Sequence, residues 1–115
     1  MPYALLILEP HGQRQLRTPE EGRAVYGRMV DYARALKERG LLLAVESLRE
    51  AGVRLSVESG KSRITDGPFA ESKELIGGFF LLSCETREQA LRLATECPAA
   101  EWATVEVRET GPCFL

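Results

Sequence analysis

The sequence predicts an α+β fold in which two helices pack on one face of a mainly antiparallel sheet. Two segments carry apolar residues at helical spacing, and several short segments are apolar runs or alternate with a period of two. Their order is strand, helix, three strands, helix and strand, which is close to the split βαβ plan. Because 115 residues correspond to about one ordinary domain, residues 1–115 are expected to form a single domain.

The first strand and the first helix are predicted from the N-terminal third of the chain. Tyr3 to Leu8 is a continuous apolar run, typical of a central strand buried on both faces, and a loop is expected from Glu9 to Arg17. Thr18-Pro19-Glu20-Glu21 supplies a helix N-cap, a proline at the first helical position and a capping box. Gly40 is placed to end the helix.

The middle of the chain predicts a meander of short strands. Leu41 to Val45 is apolar, and Val53 to Val57 alternates apolar and polar residues like a half-buried strand. Ser59-Gly60-Lys61 is a turn signal before a short segment at 62–65, and a further strand is expected over Phe79 to Cys84.

The C-terminal part predicts the second helix and the last strand. Thr86 is predicted to cap the helix, with Gln89 completing a capping box, and Pro98 closes the helix. Trp102 to Arg108 alternates as a strand. With both helices on one side, the other sheet face has no cover, so we expect a second copy of the chain to pack against it as an isologous dimer.

Composition excludes several classes of function. Fifteen basic and seventeen acidic residues give a net charge of −2 without a basic stripe, which argues against nucleic-acid binding. The apolar runs are too short to span a bilayer and no secretory signal is apparent, so a cytoplasmic location without membrane association is expected.

The residues that bind metals or form disulfides are few. Cys84, Cys97 and Cys113 are widely spaced and include no Cys-x-x-Cys pair, so they are interpreted as reduced thiols. One histidine and no recognisable ligand spacing predict that no metal is bound. Since glycine-rich nucleotide motifs are also missing, no cofactor is predicted.

The stretch from Thr65 to Phe79 is the most informative motif. Asp66-Gly67-Pro68 is strong turn punctuation, and it precedes Phe69, several ionisable side chains and a glycine pair. The pair Gly77-Gly78 indicates close backbone approach or a bend. A rigid loop beside a strand is therefore predicted.

These residues resemble the YCII-related, or DGPF-domain, proteins. The resemblance includes the opening strand, the helix that ends before Gly40, the step Glu46-Ser47-Leu48, the run Thr65 to Glu74 and the closing Val105 to Arg108. It implies a ferredoxin-like fold that dimerises into an α+β barrel. Members are often associated with extracytoplasmic-function sigma factors, and enzymatic roles have been proposed by analogy with barrel enzymes such as muconolactone isomerase.

Three residues are candidates for acid or base chemistry. Asp66 is a short carboxylate on a rigid turn, although its side chain equally suits stabilising that turn. Glu46 is the second choice if it points into the barrel. His11 follows the first strand, where a loop could bring it to the barrel mouth, although a solvent-exposed loop histidine is the more common case. YciI-like relatives carry a helical histidine thought to pair with an aspartate. This chain has none between Thr18 and Gly40, so the resemblance implies no such dyad here.

The remaining candidates surround the same loop. Phe69 is expected to anchor the loop to the core, and Glu71 and Lys73 are candidate substrate contacts or surface ion pairs. Ser72 and Cys84 lack the partners of a catalytic nucleophile.

Two functions follow as hypotheses. The first is a homodimeric barrel that binds a small organic ligand and carries out cofactor-independent proton transfer, such as isomerisation or lactone chemistry. The second is a non-catalytic regulatory or accessory protein in which the Asp66 loop is structural.

Overall fold

The computed structural model describes residues 1–67, 69 and 72–115. The strands are β1 (Tyr3–Pro10), β2 (Leu42–Ser47), β3 (Val53–Glu58), β4 (Lys61–Asp66), β5 (Glu74–Leu82) and β6 (Thr104–Glu109). The helices are α1 (Pro19–Glu38) and α2 (Arg87–Glu96), and two short 3-10 turns cover Arg14–Leu16 and Pro98–Glu101. Neither helix in the described ranges is long and apolar enough to cross a membrane.

The main sheet has the strand order β2-β5-β1-β6, and every neighbouring pair is antiparallel. The sheet therefore has the connectivity of the split βαβ plan, and the α+β prediction is confirmed. The predicted meander is wrong, because β2 pairs with β5 and not with β3. Strands β3 and β4 form a separate hairpin, whose turn places Ser59 and Gly60 at φ 50° and 77°, as a tight hairpin turn requires.

Both helices cover the same face of the sheet. Tyr3, Leu5 and Ile7 point alternately from β1 into a core shared with Leu36 of α1 and Leu93 of α2. The side chains between them on β1 are only half-buried. The molecule's shortest dimension is 19 Å, which fits one sheet and one helix layer.

The helix ends follow the sequence signals. Thr18 Oγ1 accepts a hydrogen bond from Glu21 N while the Glu21 carboxylate accepts one from Thr18 N, so the predicted capping box is confirmed. Gly40 lies at φ 71° just after α1, a conformation that glycine adopts without strain. Thr86 caps α2 through Gln89 N.

The open face of the main sheet is apolar at its centre. Leu6 pairs with Phe79 of β5, and Leu8 pairs with Ile76; paired residues share a face. Polar residues flank this apolar strip on the outer strands, with Glu106 opposite Leu6 and Glu46 opposite Phe79. Both helices of the described chain lie on the other face, so this face has no helix layer of its own.

The β3–β4 hairpin corrects a second expectation. The alternation predicts that Val53, Leu55 and Val57 are half-buried, but they are 61 to 64% exposed, as is Ile64 of β4. The alternation does create an apolar face, since Leu55 is opposite Ile64. Among the described residues, no second layer packs behind this face, and its side chains stay exposed for that reason.

Candidate ligand cleft

A cleft of about 560 Å³ lies between the N-terminal half of α1 and the helix-covered face of the sheet. Its helix wall is formed by Val25, Tyr26, Met29, Val30 and Ala33. Its sheet wall includes Ile7, Val45 and Phe80, and Trp102 borders one end. The long walls are therefore apolar, as is usual for sites that bind organic ligands.

The polar end of the cleft is built around Glu9. Because side chains alternate along a strand, Glu9 continues the buried series of Tyr3, Leu5 and Ile7, and its residue exposure is 5%. The expectation that Glu9 begins a loop is wrong. It is an inward-facing strand residue. The signal that identifies it is its place two positions after Ile7, in the same series as the buried residues Tyr3 and Leu5.

Arg14 holds the Glu9 carboxylate in place. After β1 the chain turns at Gly12, where φ is 83°, and the 3-10 turn brings Arg14 back beneath the strand end. Arg14 Nη2 forms a short ion pair with Glu9 Oε1. The same guanidinium lies 3.8 Å from Glu50 Oε1 through Nε and 3.4 Å from the Gly77 carbonyl oxygen through Nη2.

The glycine pair makes room for this cluster. The register of β1 and β5 shifts opposite Gly77, which is the extra residue of a bulge. A Cβ at Gly77 would overlap the Glu9 carboxylate and lie 3.0 Å from Arg14 Nη2, while a Cβ at Gly78 would lie 2.9 Å from the Glu46 carbonyl oxygen. The prediction of close backbone approach is confirmed, although both glycines lie inside β5 and not before it.

The loop after β1 is tied to the segment that precedes β6. Gln13 Nε2 donates to the Trp102 carbonyl oxygen at 2.5 Å. The guanidinium groups of Arg17 and Arg28 lie 5.8 and 5.4 Å from the centre of the Trp102 ring. Arg28 also forms a short ion pair with Glu101. Trp102 therefore lines the cleft and also contacts the guanidinium groups of Arg17 and Arg28.

The candidate residues of the Asp66 loop lie elsewhere. Asp66 ends β4 with an exposed side chain, and it does not line the cleft. Phe69 packs under the guanidinium of Arg54, with 3.7 Å from Cζ to the ring centre, and so contacts the hairpin. The expected anchoring of the loop to the core is not what is observed, because Phe69 does not belong to the core cluster. Glu71 lies outside the described residues.

The other candidates, Glu46, His11 and Lys73, do not form one site. The Glu46 side chain is exposed and shares the open face with Phe79, whereas its carbonyl oxygen lies against Gly78, and both residues line the cleft. His11 N donates to the Lys73 carbonyl oxygen at 3.5 Å, so these two residues are close along their backbones. His11 Nε2 is buried and has no hydrogen-bond partner among the described residues. The structure therefore brings His11 and Lys73 together, but not Asp66 and Glu46.

The remaining ionisable groups are of structural interest. Cys84 and Cys97 are buried free thiols, and Cys113 is exposed. Burial raises the pKa of both buried thiols above the usual range. In the described part of the chain, no cluster of three or more metal-ligating side chains occurs.

Comparison with known proteins identifies the family. The family model of the YCII-related domain matches residues 1–112. The chain belongs to the YCII-related domain family. An uncharacterized protein of Rhizobium meliloti (strain 1021) is 31% identical over 106 residues, which cover 90% of this chain and 86% of the relative. The YCII-related resemblance of the sequence is thereby confirmed over almost the whole chain.

Proposed function

We propose that this YCII-related protein binds a small organic molecule in the cleft beside α1 and carries out cofactor-independent proton transfer there. The observation that supports the proposal is the buried Glu9 carboxylate at the polar end of an otherwise apolar cleft. A carboxylate in this position is a candidate proton acceptor. Isomerisation and lactone chemistry are reactions of this class.

The surroundings of Glu9 support this assignment. Arg14 fixes the position of the carboxylate, and Gly77 leaves the space in which it lies. A preorganised group on a strand end is held more precisely than one on a loop. Asp66, Glu46 and His11 remain predictions, and of these only Glu46 lines the cleft.

A two-stage experiment tests the proposal. Pools of metabolites are first screened for ligands that raise the melting temperature, and hits are incubated in deuterated water while NMR follows exchange into the ligand. Glu9→Gln is expected to slow exchange by roughly a hundredfold or more, and Glu46→Gln serves as the matched control. No stabilising pool, or exchange lost in Glu46→Gln and retained in Glu9→Gln, would contradict the proposal.

The assembly that we propose is a homodimer. Two apolar surfaces support it, namely the open sheet face around Leu6 and Phe79 and the hairpin face around Leu55 and Ile64. Exposed apolar surfaces of this kind mark protein interfaces. An isologous pair of sheets would cover the first of them.

A second candidate function is a non-catalytic accessory protein in which the Asp66 loop is structural. The position of that loop favours it: Gly67 N donates to the Gly52 carbonyl oxygen at 2.9 Å, and Phe69 packs against Arg54. Asp66→Asn distinguishes the two. Lower stability or weaker dimerisation with unchanged ligand response supports a structural loop, whereas lost ligand response supports a site at Asp66.

A further inference from the structure

We infer that the cleft selects ligands that carry an acidic group, and that Arg17 is the residue that binds it. The inference rests on the proposed ligand-binding function and adds the chemical class of the ligand, an apolar body with a carboxylate.

Among the described residues, the cleft is lined by four charged residues, namely Glu9, Arg14, Arg17 and Glu46. Glu9 and Arg14 neutralise each other in their ion pair, and Arg14 lies within reach of a second carboxylate, Glu50. The Glu46 side chain is exposed on the other side of the sheet. Arg17 is therefore the lining cation that decides the charge preference of the cleft.

Arg17 has no ion pair within 4.0 Å in the described part of the chain. Its nearby acid is Glu21, whose pKa is lowered chiefly by the hydrogen bonds with Thr18 and, after these, by the charge of Arg17. Glu21 Oε1 accepts the capping-box hydrogen bond from Thr18 N, and among the described residues no ion pair joins Glu21 to Arg17. The guanidinium of Arg17 can thus donate to a ligand without breaking an existing ion pair.

Trp102 positions this guanidinium. The Arg17 Cζ atom lies 5.8 Å from the ring centre, within the range of a cation–π contact. Arg17 itself is only partly exposed. This contact restricts the side chain while leaving its N–H groups able to donate, and a guanidinium presents paired donors that match a carboxylate.

The rest of the cleft defines the other part of the ligand. Val25, Met29 and Val30 of α1 face Ile7 and Phe80 across the cavity. Such walls exclude a highly polar ligand and suit an aliphatic or aromatic body. An acid bound to Arg17 would then lie in the cleft that Glu9 also lines.

The test uses the intrinsic fluorescence of Trp102, the single tryptophan of the chain. Cyclohexanecarboxylate, cyclohexanecarboxamide and cyclohexylmethylamine are titrated separately, because they absorb little light where tryptophan does and differ mainly in the polar group. The carboxylate is expected to bind at least about tenfold more tightly than the amide, and the amine least well. Raising the salt concentration should weaken the binding of the carboxylate more than that of the amide, because salt screens the attraction between charges.

Arg17→Gln and Arg23→Gln form a matched pair. Both remove one positive charge near the start of α1, but Arg23 is exposed and does not line the cleft. Arg17→Gln should abolish the preference for the carboxylate while retaining amide binding, and Arg23→Gln should leave the preference unchanged. A circular dichroism melt confirms that both variants are folded.

The outcomes separate the inference from the proposed function. Equal binding of carboxylate and amide, or an unchanged preference in Arg17→Gln, overturns the role of Arg17 and leaves the cleft as a ligand site. Failure of all three probes, together with failure of the metabolite screen, overturns the proposed function itself.

Discussion

At the scale of single residues, the cleft depends on a strand position that has no side chain. Gly77 is the bulge residue of β5, and the Glu9 carboxylate occupies the volume where its Cβ would be. The backbone carbonyl of Gly77 is also within 3.4 Å of Arg14 Nη2. The glycine therefore links the strand irregularity to the placement of the charged pair.

Substituting Gly77 by Ala should displace Glu9 and lower the free energy of unfolding by about 1 to 3 kcal/mol, because the partly buried ion pair of Glu9 with Arg14 loses its geometry. Gly27→Ala is the control. Gly27 lies within α1, where an added Cβ would have open space around it, so this substitution should raise stability by about 0.5 to 1 kcal/mol. Urea unfolding measures both, and a neutral Gly77→Ala would contradict this account of the bulge.

The buried thiols predict the alkaline limit of stability. Burial raises the pKa of Cys97 in the folded protein, so the unfolded chain releases this proton at lower pH than the folded one. The protonated Cys97 thiol therefore contributes fully to the free energy of unfolding below the unfolded thiol pKa of about 8.5, and this contribution is lost as pH rises above that value. Cys97→Ala should flatten the decline of the urea midpoint with pH, and Cys113→Ser should not. The same decline in wild type and Cys97→Ala would refute the assignment.

At the scale of elements, α1 determines the cleft because its N-terminal half forms one wall. The capping box at Thr18 fixes where that helix begins. Thr18→Ala should lower the free energy of unfolding by about 1 kcal/mol, measured by urea unfolding. Thr95→Ala is a control with a different role, since Thr95 Oγ1 donates to the Leu91 carbonyl oxygen within α2. An unchanged stability in Thr18→Ala would contradict the role of the cap.

The cap also predicts a dependence on acidic pH. Hydrogen bonds with Thr18 lower the pKa of the Glu21 carboxyl. A group with a lowered folded pKa stabilises the protein above its unfolded pKa, and this contribution is lost as pH falls through the folded value. Glu21→Gln should therefore reduce the fall of the melting temperature as the pH is lowered. The same fall in wild type and Glu21→Gln would contradict this role of the Glu21 carboxylate.

The elements also show what sequence can and cannot predict. Capping signatures locate both helix starts, because the interactions are local in sequence. They do not identify the partner of β2, since pairing with β5 depends on contacts between distant segments. Alternation identifies the apolar face of β3, but it does not say whether another layer covers that face.

For the candidate site, the sequence directs attention to the loop of Asp66 and away from Glu9. A turn motif is visible as consecutive letters, whereas the cleft is assembled from β1, α1, β5 and the segment at Trp102. Position in the strand alternation can assign Glu9 to the buried face. Its contact with Arg14 requires the turn at Gly12, whose course the sequence does not specify.

At the scale of the whole molecule, the uncovered sheet face leads to a prediction about assembly. Leu6 lies at the centre of that face, between Phe79 and Glu106. Leu6→Glu should convert the proposed homodimer to a monomer, because a charge would be buried in an apolar interface. Leu91→Glu is the matched control, since Leu91 is 38% exposed on α2, on the helix side. Light scattering at micromolar concentration measures the molar mass of the wild type and of both variants. A monomer mass for the wild type would contradict the proposed homodimer.

Binding of a small organic molecule between α1 and the sheet is the proposal on which the assigned roles of Glu9 and Arg17 both depend. A two-dimensional amide NMR titration of the labelled protein with the stabilising metabolite pools tests this binding. We expect the amides of Ser47, Gly77 and Gly78 and the indole N–H of Trp102 to shift together. Shifts confined to Asp66 and Lys73, or no shifts with any pool, would contradict the claim.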